Sequence, residues 1–145
     1  MIRECNIDDI DLINQLGLLV NKNFISVYNI KDILDRDYEC IYIYEENNTI
    51  LGFIHIEKHF EIIDLINIAV SESSRRKGIA SKLIQYVLDT IDHENFLLEV
   101  NSNNDSAIEL YRKFNFKEIN IRKKYYDDGD AIIMERRKLW KIFIY

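Results

Sequence analysis

Three groups of residues in this chain have the types and spacing to do chemistry. Arg75, Arg76 and Lys77 run into Gly78, which opens the segment Ile79-Ala80-Ser81. Cations beside the free backbone N–H groups of a helix N-terminus suit a pyrophosphate. Glu99 is an acid inside the apolar run FLLEV at 96–100. Partial burial there would make it a better base near neutrality. Tyr111 lies in DSAIELYRKF, with Ala107, Ile108 and Phe114 as its inward neighbours. That spacing puts the phenol at the edge of a buried helix face, and a phenol is neutral at pH 7 and can donate a proton.

Each group needs an element to hold it. The apolar run 62–70 gives way to a polar, basic loop at 71–77. From Gly78 the residues Ile79, Ala80, Leu83, Ile84, Val87, Leu88 and Ile91 recur at helical spacing, which predicts a helix to about 93. The loop has neither GxxxxGK[ST] nor GxGxxG, so it is not a nucleotide-triphosphate loop and a dinucleotide fold is disfavoured. Upstream, a strand is expected over 2–6. A helix follows from Asn6 or Asp8 to about 20, with Ile10, Ile13, Leu16 and Leu19 or Val20 inward. Residues 21–26 read as a connection and 27–36 as a second helix, with Val27, Ile30, Ile33 and Leu34 apolar.

Then the period changes. Runs 40–45 and 50–58 are β-branched and aromatic around the turn Glu46-Asn47-Asn48, a hairpin in which Gly52 is a candidate bulge. After the strand 96–100, the asparagines of loop 101–104 can cap a helix over 105–114, and Asn115 stands where a left-handed residue ends one. Runs 116–126 and 130–137 flank Asp127-Asp128-Gly129 as a closing hairpin. The order is β-α-α-β-β-β-α-β-α-β-β. Three consecutive hairpin-like strands exclude a purely parallel sheet, which leaves an α/β (α+β-type) domain of three layers.

Arg75-x-x-Gly78-x-Ala80, placed after Asn67-Ile68-Ala69-Val70, resembles the coenzyme A motif of the Gcn5-related N-acetyltransferases. The run Leu98-Glu99-Val100-x-x-x-Asn104-x-x-Ala107-x-x-Leu110-Tyr111-x-x-x-x-Phe116 is similar to the second half of that family. The closing Tyr125-Tyr126 and Asp130-Ala131-Ile132-Ile133-Met134 look like its branch of bacterial ribosomal-protein-alanine N-acetyltransferases. The resemblance follows the order of elements over about 2–137 and is specific over about 67–134. It implies a mixed sheet of about seven strands with about four helices and acetyl-CoA as acetyl donor. It also implies backbone pairing of Ile68, Ala69 and Val70 with the acetyl-pantetheine arm, and a pyrophosphate wrapped by Arg75, Arg76, Lys77, Gly78, Ile79, Ala80 and Ser81. Asn104 would touch the cofactor, with Glu99 as general base and Tyr111 as general acid. Three positions depart: Asn101 and Asn115 stand where the family commonly has arginine and glycine, and Ala80 replaces a glycine.

That chemistry agrees with the residues. Transfer from a thioester to an amine requires loss of an amine proton, a donor to the oxyanion and a proton for the departing thiolate. An α-amine, with a pKa of about 7.7–8.0 against about 10.4 for lysine, is deprotonated at low cost by one carboxylate. The resemblance implies a protein N-terminus as the expected acceptor, in the branch's case the N-terminal alanine of a small-subunit ribosomal protein. Tyr125, Tyr126 and residues 21–26 would border the acceptor groove by family geometry. A small-molecule amine as acceptor and a non-catalytic acyl-CoA-binding module are the alternatives.

Composition sets the outer bounds. With 145 residues and no proline, repeat or linker, one domain over 1–138 is expected, followed by an apolar tail at 139–145. The sequence leaves that tail open as a packed strand, a sticky end or an oligomer contact, and leaves the oligomeric state open too. A net charge of −6 argues against nucleic acid as partner. Cys5 and Cys40 give no disulfide or metal framework, and His55, His59 and His93 lack ligand spacing, so no metal is expected. No apolar run reaches the roughly 20 residues of a membrane span and no secretory signal is visible, so the cytoplasm is expected.

Overall fold

The computed structural model describes residues 1–138; the tail at 139–145 lies outside the described residues. The chain forms β1 (Ile2–Glu4), a 3₁₀ turn (Ile7–Asp9), α1 (Ile10–Gly17), α2 (Phe24–Val27), α3 (Ile30–Leu34), β2 (Glu39–Glu46), β3 (Thr49–His59) and β4 (Ile62–Val70). A second 3₁₀ turn (Glu72–Ser74) leads to α4 (Ile79–Thr90), β5 (Asn95–Asn101), α5 (Asp105–Lys113), β6 (Lys117–Tyr126) and β7 (Gly129–Arg137). Seven strands make one mixed sheet in the order β1-β2-β3-β4-β5-β7-β6. The mixed α/β fold expected from sequence is the one found, with five α-helices among the described residues rather than about four.

The described residues divide into two compact units, the first made of Met1–Lys58 and Ile66–Asp92, the second of His59–Leu65 and the residues from His93 on. In the first, Ile13, Leu16, Phe24, Ile30, Ile33, Ile41, Ile43, Ile50, Phe53 and Ala69 form the core. The β2–β3 hairpin turns at Asn47 and Asn48, both left-handed at φ 52 and 61, the conformation a two-residue type I′ turn requires. Its register slips between Tyr44, opposite Gly52, and Glu45, opposite Ile50. The bulge expected at Gly52 therefore falls on its neighbour Leu51.

The helices before that hairpin differ from expectation. The first stops at Gly17 and does not reach residue 20, and Leu19 and Val20 are exposed. Gly17 is where the Phe24 ring packs, so close that a Cβ there would meet the ring at 2.3 Å. The expected connection at 21–26 thus carries a core anchor and the short helix α2. The expected second helix is broken at Tyr28–Asn29, because Asn29 caps α3 through its side chain, accepting from the Asp32 N–H at 3.2 Å. Of the apolar positions named for that helix, Val27 is exposed while Ile30 and Ile33 are buried.

In the second unit, β4 pairs in parallel with β5, and β5 pairs antiparallel with β7, which in turn pairs with β6. Phe96, Leu98, Val100, Ile108, Tyr111, Phe116 and Met134 are all buried there. Edge-on ring packing runs from Tyr111 to Phe116 at 5.9 Å and from Phe116 to Phe96 at 5.2 Å.

Candidate active site

The anion cradle belongs to the first unit. β4 ends at Val70, as the sequence predicts, and α4 begins at Ile79 with Gly78 as its N-cap. Gly78 adopts φ 76 and has no side chain to cap the helix. The first intrahelical bond at this end is donated by the Lys82 N–H to the Gly78 carbonyl at 3.0 Å. The N–H groups of Ile79, Ala80 and Ser81 precede it, so they have no intrahelical acceptor and point out of the helix end. A Cβ built on Gly78 would meet nothing within 4 Å, so the space in front of this helix end is open. Arg75, Arg76 and Lys77 stand exposed beside it. An open helix N-terminus with three cations fits the diphosphate of a coenzyme A thioester on charge and donor count. Ile68 and Val70 are half-buried and Ala69 is buried, at the end of the strand that feeds the loop.

The strand end is also held from the far side. Asn67, beside Ile68, contacts His55 (Asn67 Nδ2 to His55 Nδ1, 3.3 Å), and His55 Nε2 lies 2.9 Å from Glu39 Oε1. Arg36 Nη1 donates to the other Glu39 oxygen at 2.6 Å. Burial holds the fully enclosed His55 below the usual imidazole range, against the pull of Glu39. With Asn67 donating to Nδ1, the proton of neutral His55 sits on Nε2, facing Glu39. Periodicity alone gives no signal of this relay, because His55 occupies an inward position of a strand like any apolar residue.

The base and acid candidates belong to the second unit. Phe96, Leu98 and Val100 point into the core, so Glu99 faces the other way. It is exposed, and the burial expected of it is not found. Instead, its Oε1 pairs with Arg122 Nη1 of β6 at 3.2 Å. Arg122 also lies over the Tyr125 ring at 5.7 Å, and Tyr125 packs edge-on against Tyr126 at 5.1 Å.

Tyr111 is more deeply placed than the edge position expected of it, at 4% exposure. Burial, with a smaller contribution from Tyr126, pushes its phenol up to about 12. Glu99 and Tyr111 therefore lie on opposite faces of β5. The β6–β7 register is irregular between Arg122 and Tyr126, where Lys124 is left-handed at φ 54. There, Tyr125 meets the guanidinium paired with Glu99, and Tyr126 adds to the rise of the Tyr111 phenol.

The loop after β5 is tied to the same rim. Asn101, standing where the resembled family has arginine, donates from Nδ2 to Asp128 Oδ1 at 2.7 Å. Asn103 donates to the Asp128 carbonyl, and the Asp130 N–H to Ser102 Oγ at 3.0 Å. Asn104 caps α5, its Oδ1 accepting from the Ala107 N–H at 3.3 Å. At the other end Asn115 takes the left-handed conformation expected of it, at φ 67.

Comparison with known proteins agrees with this arrangement. The model of the Acetyltransferase (GNAT) family matches residues 11–116. The N-alpha-acetyltransferase of Saccharolobus solfataricus is 32% identical over 93% of this chain and 91% of its own length. The [ribosomal protein bS18]-alanine N-acetyltransferase of Salmonella typhimurium is 36% identical, over 48% of this chain and 52% of its own length. The crystal structure of Ard1 from Thermoplasma volcanium superposes with a TM-score of 0.83 at 27% identity, over 94% of this chain and 96% of that one. No helix among the described residues is long and apolar enough to cross a membrane. With the helix-end cradle after β4 in place and the family model spanning residues 11–116, the chain belongs to the GNAT acetyltransferase family and is an acetyl-CoA-dependent N-acetyltransferase.

Proposed function

We propose that this enzyme acetylates the α-amine of a protein N-terminus, and that an N-terminal alanine of a small-subunit ribosomal protein is a preferred acceptor. The observation that carries the reading is the resemblance along nearly the whole chain to an N-alpha-acetyltransferase, 32% identical over 93% of its residues. The alanine acceptor draws on the shorter stretch similar to the Salmonella enzyme. The cytoplasm, where such acceptors are made, is the proposed location.

In this reading Ile68, Ala69 and Val70 align the thioester arm through their backbone. Arg75, Arg76, Lys77 and the amides of Gly78, Ile79, Ala80 and Ser81 hold the diphosphate, and Asn104 borders the cofactor. Glu99 takes one proton from the incoming ammonium, directly or through one water. The neutral nitrogen then bonds to the acyl carbon as the carbon–sulfur bond breaks, Tyr111 gives its proton to the departing thiolate, and the second proton shed by the nitrogen returns to Tyr111 through solvent, leaving the neutral amide. Tyr111 is suited to that task because burial keeps it protonated throughout the neutral range. Arg122, paired with the Glu99 carboxylate at 3.2 Å, orients it.

The test is thiol release from acetyl-CoA with peptides that differ only in their first residue, alongside spermidine and other small amines, with product masses recorded. Alanine-initiated peptides should be the preferred substrates, and Glu99→Gln should lower kcat roughly a hundredfold, the lower end for a positioned base. Faster turnover of a small amine than of any peptide, or full activity of the Gln variant, would overturn it.

A further inference from the structure

The Glu99 carboxylate already holds a cation, and that cation comes from two strands away. Glu99 is the direct partner of Ile133 on β7, and Ile133 pairs in turn with Asn120 on β6. Direct partners share a face, as do residues two apart, so Asn120 and Arg122 stand on the face of Glu99. Arg122 is itself paired with Ala131, the residue that faces Asn101 across the other edge of β7. Its guanidinium therefore reaches Glu99 over the whole width of β7 and two residues along it. With strands about 4.8 Å apart and about 3.3 Å of rise per residue, the two Cα atoms stand roughly 12 Å apart. Only two extended side chains close such a gap.

The contact at the end of that reach is light. Arg122 Nη1 meets Glu99 Oε1 at 3.2 Å, longer than the roughly 2.7–2.9 Å of a strong charge-assisted bond. The arginine side chain is 56% exposed and the glutamate side chain 35%. Water competes for both ends of so open a pair, which leaves it weak. The guanidinium also has a second seat, 5.7 Å from the centre of the Tyr125 ring. Arg122 is the last residue in regular pairing before the register of β6 slips. It can thus give up the carboxylate and keep both the ring and water around its charge.

We propose that Arg122 holds the place of the acceptor: its guanidinium sits on Glu99 in the free enzyme, and the ammonium of the incoming N-terminus takes that place while the guanidinium stays against Tyr125. The assignment rests on Glu99 being the amine base. A cationic N-terminus exchanges one positive charge for another at the carboxylate. A neutral chain end, the acetylated product included, brings no charge for that exchange and leaves Glu99 with its arginine. Arg122 is thus a specificity-determining residue, which sets the affinity an ammonium must exceed to reach the base.

Calorimetry in the presence of coenzyme A, which supports no turnover, tests the exchange. It measures affinity for one alanine-initiated hexapeptide and for the same peptide with a formylated, uncharged N-terminus. Wild type is compared with Arg122→Gln, Arg122→Lys, Glu99→Gln and the double variant Glu99→Gln/Arg122→Gln. Without the competing cation, Arg122→Gln should bind the ammonium peptide about three- to fivefold more tightly, up to about 1 kcal/mol. The formylated peptide should bind wild type and Arg122→Gln alike, and Arg122→Lys, which keeps the charge, should gain less than Arg122→Gln. In the Glu99→Gln background the gain should vanish. An ammonium peptide bound no more tightly by Arg122→Gln than by wild type overturns the proposal. So does an equal gain for the formylated peptide, the mark of a groove merely widened, or a gain that survives Glu99→Gln. Failure of the underlying reading looks different: Glu99→Gln then turns over peptide at the wild-type rate. If that variant is impaired and only the Arg122 effect is missing, the reading of Glu99 stands and Arg122 alone is removed from it.

Discussion

Tyr111→Phe separates the packing of this residue from its proton. The ring is 4% exposed and packs edge-on against Phe116 at 5.9 Å, contacts that phenylalanine keeps. The hydroxyl is what changes. Burial lifts the phenol to about 12, two units above its ordinary value of 10. A shift of that size corresponds to about 2.7 kcal/mol between protonation states. The folded-state value is the raised one, so its contribution to stability is intact below the unfolded-state value. It is lost as pH rises through the interval from 10 to about 12, where the unfolded chain ionises and the folded one resists. Urea unfolding at pH 8 and at pH 11 should show the wild type losing stability that Tyr111→Phe retains, by roughly 1–2 kcal/mol at the higher pH. Tyr42, Cys5 and Cys40 are also raised by burial and weaken both proteins alike, so the difference between them isolates Tyr111. Activity gives the second half of the test. In the proposed role of proton donor to the thiolate, Tyr111 should keep kcat level well past pH 10, and its loss should lower kcat roughly a hundredfold with acetyl-CoA affinity unchanged. A wild-type kcat that falls with a midpoint near 10, or a phenylalanine variant of full activity, would refute the assignment.

Two further substitutions probe the frame. Gly78→Ala places a side chain in open space at φ 76, so it should cost only backbone strain, about 1 kcal/mol, or about 2–4 °C in melting temperature. Gly78→Asn should cost less, and equal losses for the two would show that something other than backbone strain is being measured. Asp9 accepts two bonds from the Arg3 guanidinium, at 2.8 and 3.1 Å, and one from the Asn6 N–H at 2.8 Å. Chiefly through Arg3, its carboxyl is held below the usual range. Asp9→Asn should therefore cost about 2 kcal/mol near neutrality, a buried-pair penalty reduced because Arg3 is partly exposed. Because the folded-state value is the depressed one, the wild-type advantage is present above pH about 4 and should shrink as pH falls further. A melting-temperature gap that stays constant from pH 7 to pH 3 would contradict this.

What could be read from the sequence follows how far each signal reaches along the chain. The strand Ile62–Val70 and the helix after Gly78 were legible because a change of period and a glycine lie within a few residues of one another. So was Asn115, whose left-handed turn is decided by the helix it ends. The helices before β2 were not. Their ends are set by Phe24 closing on Gly17 and by Asn29 capping α3, and neither contact leaves a trace in periodicity. The surroundings of Glu99 were illegible for a related reason. Alternation in FLLEV shows that Glu99 and Leu98 face opposite ways, but not which face is covered. Its partner Arg122 arrives only through the order β5-β7-β6, a pairing across a strand that comes later in sequence than both.

The proposed base and acid, Glu99 and Tyr111, stand on neighbouring elements, β5 and α5. The register of β6 against β7 fails between Arg122 and Tyr126, with Lys124 left-handed at the irregularity. A bulge of this kind bends a strand and redirects its side chains. Tyr125 there lies against the guanidinium of the Arg122–Glu99 pair, and Tyr126 adds to the rise of the buried Tyr111 phenol. Asn101 and Asn103 then fasten the adjoining turn through Asp128, so the end of β5 and the irregular rim are held as one piece. An arginine at 101 would bring a charge to this place. The asparagine brings a short amide that fits the turn, and the positive charge beside Glu99 comes from Arg122 instead.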